Sequence, residues 1–298
     1  MEPDYNVARE VLRSQGAPRL PFSVATIGRL QQFLLLEQCG KLCDDFGLDR
    51  AASWCGQPFG EYGEPFRAMG AEEIVSIDPS DYEGADVIHD MNVLVPPELC
   101  TRFDVVVDGG TMEHVFNPSS ALANMLRMVR VGGSPITWSP ANNSCGHGVY
   151  HFSPEFCCSA LNDKPDFDLR HVSVLECVFP NVSLAAPRRA FLVRSPHEAK
   201  RCIAVMSRRP LTLLSRSVKT AHRDMPFSQL PQQSDYVAAW QGGTTEASWA
   251  GPAALKLREA MLRRLRRSER GRGAVRWLQG MNERRVHSLR NRRFVTPE

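Results

Sequence analysis

The chain of 298 residues is 43% hydrophobic and 23% charged, which suits one full-sized core with an appendage and the composition of an ordinary soluble globular protein. No run of eighteen apolar residues occurs, and the polar N-terminus (1–16) lacks the apolar core of a secretory signal, so a cytoplasmic protein is expected. The formal net charge of +3 hides an asymmetry: residues 256–298 hold 14 Lys and Arg against 4 acids, so this tail carries about +10 and the rest about −7.

In chain order, Ile27, Leu30, Phe33, Leu34, Leu35 and Leu42 recur at helical spacing and predict an amphipathic helix within an N-terminal segment, 1–47. From residue 48 the texture changes to short β-like runs at Ile74–Ile77, Val87–Ile88, Val105–Val107 and Pro135–Trp138, separated by helical or turn segments. That alternation predicts a parallel α/β sheet over 48–209. The clearest unit is the apolar run Phe103–Asp108, then Gly109-Gly110, then a helix with Pro118 near its first turn and Ala121, Met125, Leu126 and Val129 on one face. Gly132-Gly133 is read as the helix stop before the next strand. Val172–Val178, Ile203–Met206 and Phe191–Val193 are the candidate last strands, and the sheet pattern ends at Arg209. A Gln/Ser/Gly/Thr-rich linker within 210–251 and a basic helical extension over 252–298, with Leu255, Leu257, Met261, Leu262 and Leu265 interleaved with arginines, complete the organisation.

The chemistry-bearing residues follow the strands. Asp78 ends an apolar run where a nucleoside ribose would need an acceptor, although Asp78-Pro also opens turns. Asp90 ends a second run, and the following Met91 offers an apolar face to an adenine ring. In Asp108-Gly-Gly-Thr-Met-Glu113-His114, Gly109 and Gly110 permit close backbone approach, while Glu113 and His114 place an acid and an imidazole at the sheet edge. Either of these two also suits a structural role at a helix start.

In order along the chain, Val75–Asp78, His89–Asn92, Phe103–His114, Gly132-Gly133, Pro140–Asn143, Gly146–Tyr150 and Phe152–Glu155 resemble the class I, Rossmann-like S-adenosylmethionine-dependent methyltransferase family. The likeness is to the branch with an Asp-Gly-Gly-Thr-x-Glu-His loop, and it covers about a third of the chain. The resemblance implies a three-layer, seven-stranded sheet that binds S-adenosylmethionine across the ends of its first four strands. Asp78 would hold the ribose, Asp90 with Met91 the adenine, and Asp108 to Thr111 the methionine side. The glycine-rich first loop of that family corresponds here to Ala51–Gly60, with Cys55 and Gly56 at the cofactor. Of its glycines only Gly56 and Gly60 remain, and Trp54, Gln57, Pro58 and Phe59 stand where small or acidic residues are expected.

Methyl transfer to a hydroxyl needs a base, and His114 with Glu113 behind it is the expected one. His147, Tyr150 and His151 are expected to line the acceptor pocket. The acceptor itself is expected to be a sugar or other small metabolite, by family association. The glycines flanking His147 argue against a helix that would present His147 and His151 together, so no metal site is expected. The nine cysteines, odd in number and without paired C-x-x-C spacing, are expected to be reduced and mostly buried. Two alternatives remain open. One is a non-catalytic relative with a degenerate loop. The other is a module whose basic tail binds nucleic acid or an anionic membrane surface.

Overall fold

The computed structural model describes residues 4–16, 21–30, 34, 36–48, 63–162, 166–177, 189–195, 198, 205–223, 226–227, 230–241, 273–275, 277, 280–281, 288–292 and 294–298. In chain order these form α1 (Tyr5–Gln15), β1 (Phe22–Ile27), α2 (Leu36–Phe46), α3 (Glu64–Ala68), β2 (Ala71–Asp78), β3 (Val87–Ile88), β4 (Phe103–Asp108), α4 (Pro118–Met128), β5 (Val129–Asn142), α5 (Pro154–Cys157), β6 (Phe167–Glu176), β7 (Ala190–Val193), β8 (Leu211–Lys219), α6 (Ser234–Trp240) and β9 (Val295–Pro297). The nine described strands make one sheet in the order β3-β2-β1-β4-β5-β8-β6-β7-β9. The first five run parallel, and β8 turns antiparallel between β5 and β6.

Strands buried on both faces must be apolar on both, and β4, with Val105, Val106 and Val107 all fully buried, obeys this. Successive residues point to opposite layers. Val106, Ala25 and Ile27 pack with Ala121, Leu122, Met125 and Leu126 of α4 and with Cys157 at the end of α5. On the other face, Val24, Val105 and Val107 pack with Val7, Val11 and Leu12 of α1, Cys39 and Leu42 of α2, and Phe66 of α3. The expected three-layer α/β architecture is therefore present, with two strands, β7 and β9, beyond the seven that the resemblance implies. Among the described residues no helix is long and apolar enough to cross a membrane. The cysteines at 39, 43, 100, 145, 157, 158 and 177 form no disulfide among the described residues, and five of these seven are buried.

Several expectations need correction. Phe22–Ile27 is a central strand, paired with β2 on one side and β4 on the other, so the sheet starts inside the segment assigned to an N-terminal helix. The helix that follows is described over Leu36–Phe46. At the other end, β8 lies beyond Arg209 and inside the expected linker, where it pairs with both β5 and β6. Gly132 and Gly133 do not stop a helix. They sit within β5 at an irregularity in its pairing with β4, where a Cβ on Gly133 would lie 2.6 Å from the Asp104 carbonyl. Of the Ile203–Met206 strand only Val205 and Met206 are described, and Met206 forms an isolated bridge to Ser288. The predicted helix 253–267 lies outside the described residues.

Buried polar anchors hold the layers in register. Glu10 of α1 is fully buried and accepts from Arg216 Nε of β8 at 2.9 Å and Arg13 at 2.7 Å, with His171 Nδ1 3.8 Å away. Although burial opposes ionisation, these cations hold its carboxyl below the usual range. On the opposite face, the Lys219 ammonium at the end of β8 donates to the Leu126 and Val129 carbonyls at 2.7 and 2.8 Å, where α4 gives way to β5. A cation suits a helix C-terminus, because the last carbonyls lack intrahelical donors and carry the negative end of the dipole. Lys219→Met keeps the stem but leaves those carbonyls without this donor, and should lower folding stability by about 2–4 kcal/mol in urea denaturation. A loss below about 0.5 kcal/mol would show that other donors satisfy this helix end.

Candidate functional site

The strand order changes direction between β1 and β4, so the crevice beyond their carboxyl ends is where an open α/β sheet takes a ligand. Gly28 follows β1 with φ +82, and its N–H donates to the Ile77 carbonyl of β2 at 2.7 Å. The Thr111 hydroxyl, in the loop after β4, donates to the Ile27 carbonyl at 2.9 Å and closes the crevice floor from the other side. A Cβ on Gly28 would lie 2.9 Å from that hydroxyl, which is why the end of β1 needs glycine. The turn leaving the first strand is thus at Gly28, and Cys55 and Gly56, assigned to that turn from the sequence, lie outside the described residues.

Asp108 ends β4 fully buried. Its Oδ1 accepts from the backbone N–H groups of Thr111 at 2.8 Å and Met112 at 3.2 Å, while Oδ2 has no hydrogen-bond partner among the described residues. Gly110, at φ +106, supplies the bend that turns these amides back onto the carboxylate. The Met112–His114 turn then carries Glu113 inward, also fully buried, with neither carboxyl oxygen hydrogen-bonded among the described residues. Burial pushes the Asp108 carboxyl up to about 6 against the pull of the loop amides. Burial and the neighbouring Asp108 charge push Glu113 up to about 8.

The Gly146–Tyr150 stretch after β5 wraps this turn. The N–H groups of Val149 and Tyr150 both donate to the Glu113 carbonyl, at 2.7 and 3.1 Å. Gly148, at φ +73, comes so close that a Cβ would lie 2.9 Å from Glu113 Cγ. His147 Nε2 is thereby brought to 3.5 Å from Glu113 Oε1, and the His114 and His147 rings meet edge to face with centroids 5.0 Å apart. Burial shifts both imidazoles toward the neutral form. The acid therefore faces His147 more closely than the sequence reading, which paired it with His114, expects. Tyr150 donates to the Phe116 carbonyl at 2.9 Å, and His151 Nε2 lies 3.1 Å from the Ser144 carbonyl.

The ribose and adenine candidates occupy neighbouring strand ends. Asp78 is half-buried; its Oδ1 accepts from the Ser80 N–H and hydroxyl at 3.0 and 3.2 Å, and its other oxygen takes no hydrogen bond among the described residues. Both the turn role and an open acceptor are thus present in one side chain. Asp90 is exposed, and bonds from the Asn92 N–H and amide, at 2.9 and 2.8 Å, hold its carboxyl below the usual range. Met91 is 2% exposed and belongs to the core, so its side chain does not offer a face to a ring, which corrects that expectation. The loop it occupies is pinned by buried Asn124 of α4, which bonds Val95 N–H and the Met91 and Val93 carbonyls.

An adenosyl-sulfonium cofactor fits this edge in two respects. Asp78 offers a carboxylate oxygen, and the orphaned oxygens of Asp108 and Glu113 suit a cationic ligand. The space over Gly109 is taken by Leu30, whose Cδ2 lies 2.5 Å from where a Cβ would be. The obstruction is the far end of a side chain and clears by rotation. Sequence reading missed Gly28 and Leu30, although the six-residue run Phe22–Ile27 closing on Gly28 is itself a strand signal.

A carboxyl that holds its proton more tightly in the folded than in the unfolded chain weakens folding as pH rises between the two values, here from about pH 4 to about pH 8 for Glu113. Glu113→Gln should therefore gain stability over the parent at the upper end of this window, the gain fading toward the lower end, in urea denaturation in chelated buffer. Equal differences at both ends would mean that Glu113 titrates as a solvated acid.

No family model and no curated protein sequence matches the chain. Solved structures similar to it include an S-adenosylmethionine dependent methyltransferase from Mesorhizobium loti (13% identity, 70% of this chain and 96% of that one, TM-score 0.37). The 1,6-didemethyltoxoflavin-N1-methyltransferase of Burkholderia thailandensis, with 1,6-didemethyltoxoflavin and S-adenosylhomocysteine bound, is similar at 13% identity over 73% and 84% (TM-score 0.36). A 16S rRNA (adenine(1408)-N(1))-methyltransferase from Catenulisporales acidiphilia is similar at 11% over 75% and 96% (TM-score 0.37). Likeness at this level assigns neither activity nor substrate, and the fold class rests on the chain's own strand order.

Proposed function

We propose that this protein transfers a methyl group from S-adenosylmethionine to a hydroxyl of a sugar or other small metabolite. The observation that carries the reading is the convergence, at one carboxyl edge, of Gly28, Asp78 and the Asp108-Gly-Gly-Thr111 turn on either side of the switch point. Asp78 holds the ribose hydroxyls through its open oxygen, Asp90 lies toward the base, and the Asp108–Thr111 turn with Gly109 and Gly110 faces the methionine portion. The bound cofactor supplies an electrophilic methyl on a sulfonium with a neutral leaving group, so the protein contributes chiefly alignment.

On the acceptor side, His114 takes the hydroxyl proton. Its imidazole is exposed and held toward the neutral, proton-accepting form by partial burial, with Glu113 and His147 behind it. His147 and Tyr150 border the same turn, and His151 lies on its exposed rim.

Calorimetric titration with S-adenosylhomocysteine should give one site, and Asp78→Ala should weaken it by about 1–3 kcal/mol. No heat and no thermal shift at millimolar ligand would defeat the reading, whereas an unchanged affinity would remove Asp78 alone from the site. In an assay for S-adenosylhomocysteine release over a panel of hydroxylated metabolites, His114→Ala should lose roughly 10²–10⁴-fold in turnover while keeping cofactor affinity. Full turnover across neutral pH would leave alignment as the whole of catalysis. Cofactor binding without turnover on any acceptor would favour a non-catalytic relative.

A further inference from the structure

Glu113, His114 and His147 each present one ligand atom, and the three atoms lie within 4.8 Å of one another. We propose that this trio binds a single divalent transition-metal ion of the zinc class. One carboxylate and two imidazoles form a ligand set that zinc takes readily, with a fourth position left open.

The distances support closure around an ion. In a tetrahedral site with bonds of about 2.0–2.1 Å, neighbouring ligand atoms lie roughly 3.4 Å apart. The Glu113 Oε1 to His147 Nε2 separation of 3.5 Å already meets this, and only the exposed His114 ring has to draw in. The second observation is the state of the inner ligand. Glu113 is fully buried, and among the described residues neither of its oxygens nor the facing, buried His147 Nε2 takes a hydrogen bond. A buried carboxylate without donors is costly, and a cation shared with two imidazoles is the partner that this arrangement lacks.

The second acid-imidazole trio among the described residues differs. Glu10, His171 and Glu298 also cluster, but Arg9, Arg13 and Arg216 reach their carboxylates and already neutralise them. No arginine or lysine pairs with Glu113 among the described residues. An ion held by the trio would lower the pKa of a hydroxyl or water bound at its remaining position. With the ion bound His114 would serve as a ligand and the metal would activate the acceptor; without it the imidazole keeps the role of base proposed above.

The inference goes beyond the methyl-transfer reading and is tested without the cofactor. Full-length protein, stripped with chelator and titrated with zinc chloride by calorimetry, should show one site of micromolar or tighter affinity. Glu113→Gln and His147→Ala should each weaken it by about tenfold or more, with circular dichroism unchanged. His147 lies in a surface loop, so its variant keeps the test decisive even if Glu113→Gln folds poorly. Cobalt(II) in place of zinc should give visible bands without a sulfur-to-metal charge-transfer band, and Cys145→Ser should leave the affinity unchanged. Absence of zinc binding, binding indifferent to His147→Ala, or a thiolate signature lost in Cys145→Ser would each overturn the proposal. S-adenosylhomocysteine binding in the stripped protein reports on the methyl-transfer reading separately, so either idea can fail alone.

Discussion

Asp108 is dry because the strand it ends is dry on both faces, and the rest of the edge follows from that constraint. A carboxyl group desolvated at a strand end needs donors, and the nearest are the amides of its own exit loop. To bring them round, the chain bends at Gly110, and Thr111 is thereby placed where its hydroxyl can bond the end of β1. The same bend drives Glu113 into a buried position where, among the described residues, its oxygens take no hydrogen bond and His147 Nε2 faces one of them at 3.5 Å. Two buried acids in one turn are costly to ionise, and both carboxyls are accordingly pushed toward the protonated form.

The layers around this edge are fixed by charges that do have partners. Glu10 ties α1 to β8 through Arg216, and Lys219, the last residue of β8, ties the strand to the junction of α4 and β5. Asn124 fastens the loop after β3 to α4, and Asn92 of that loop accepts the Asn117 N–H just before the helix. Each satisfied polar group sits where two elements must hold a fixed register. By contrast, one oxygen of Asp108 and both of Glu113 take no hydrogen bond among the described residues.

How much of this was legible in the sequence depends on how local the signal was. The β4–Asp108–Glu113 unit could be read because strand, bend and helix lie within one stretch, with apolar residues, glycines and proline each in the place its conformation demands. β1 was obscured because its last residue, Ile27, begins a set of apolar positions at helical spacing, and six residues of strand cannot outweigh a twenty-residue period. That slip displaced the first loop to 51–60 and hid Gly28. β8 was missed for a different reason. Leu211–Lys219 contains two serines, an arginine and a lysine, which read as surface, but Ser215 bonds Thr137, Arg216 meets Glu10 and Lys219 meets backbone carbonyls. Partners distant in sequence made those polar residues compatible with a central strand. The approach of His147 to Glu113 is likewise nonlocal, set by the Gly146–Tyr150 loop folding over a turn more than thirty residues earlier.

The edge therefore divides into two chemically distinct halves. Gly28 and Asp78, on the β1–β2 side, offer bare backbone and an open carboxylate oxygen, suited to a nucleoside. Glu113, His114 and His147, on the β4–β5 side, offer an acid and two imidazoles, suited to a proton or a cation. Leu30 stands between them, packed against Gly109 at a distance only a glycine tolerates. Glycine at 109 thus leaves room over its backbone for the Leu30 side chain. A leucine side chain changes rotamer at modest cost, whereas a backbone obstruction would not yield, so on the methyl-transfer reading proposed above a ligand at this edge would turn Leu30 aside.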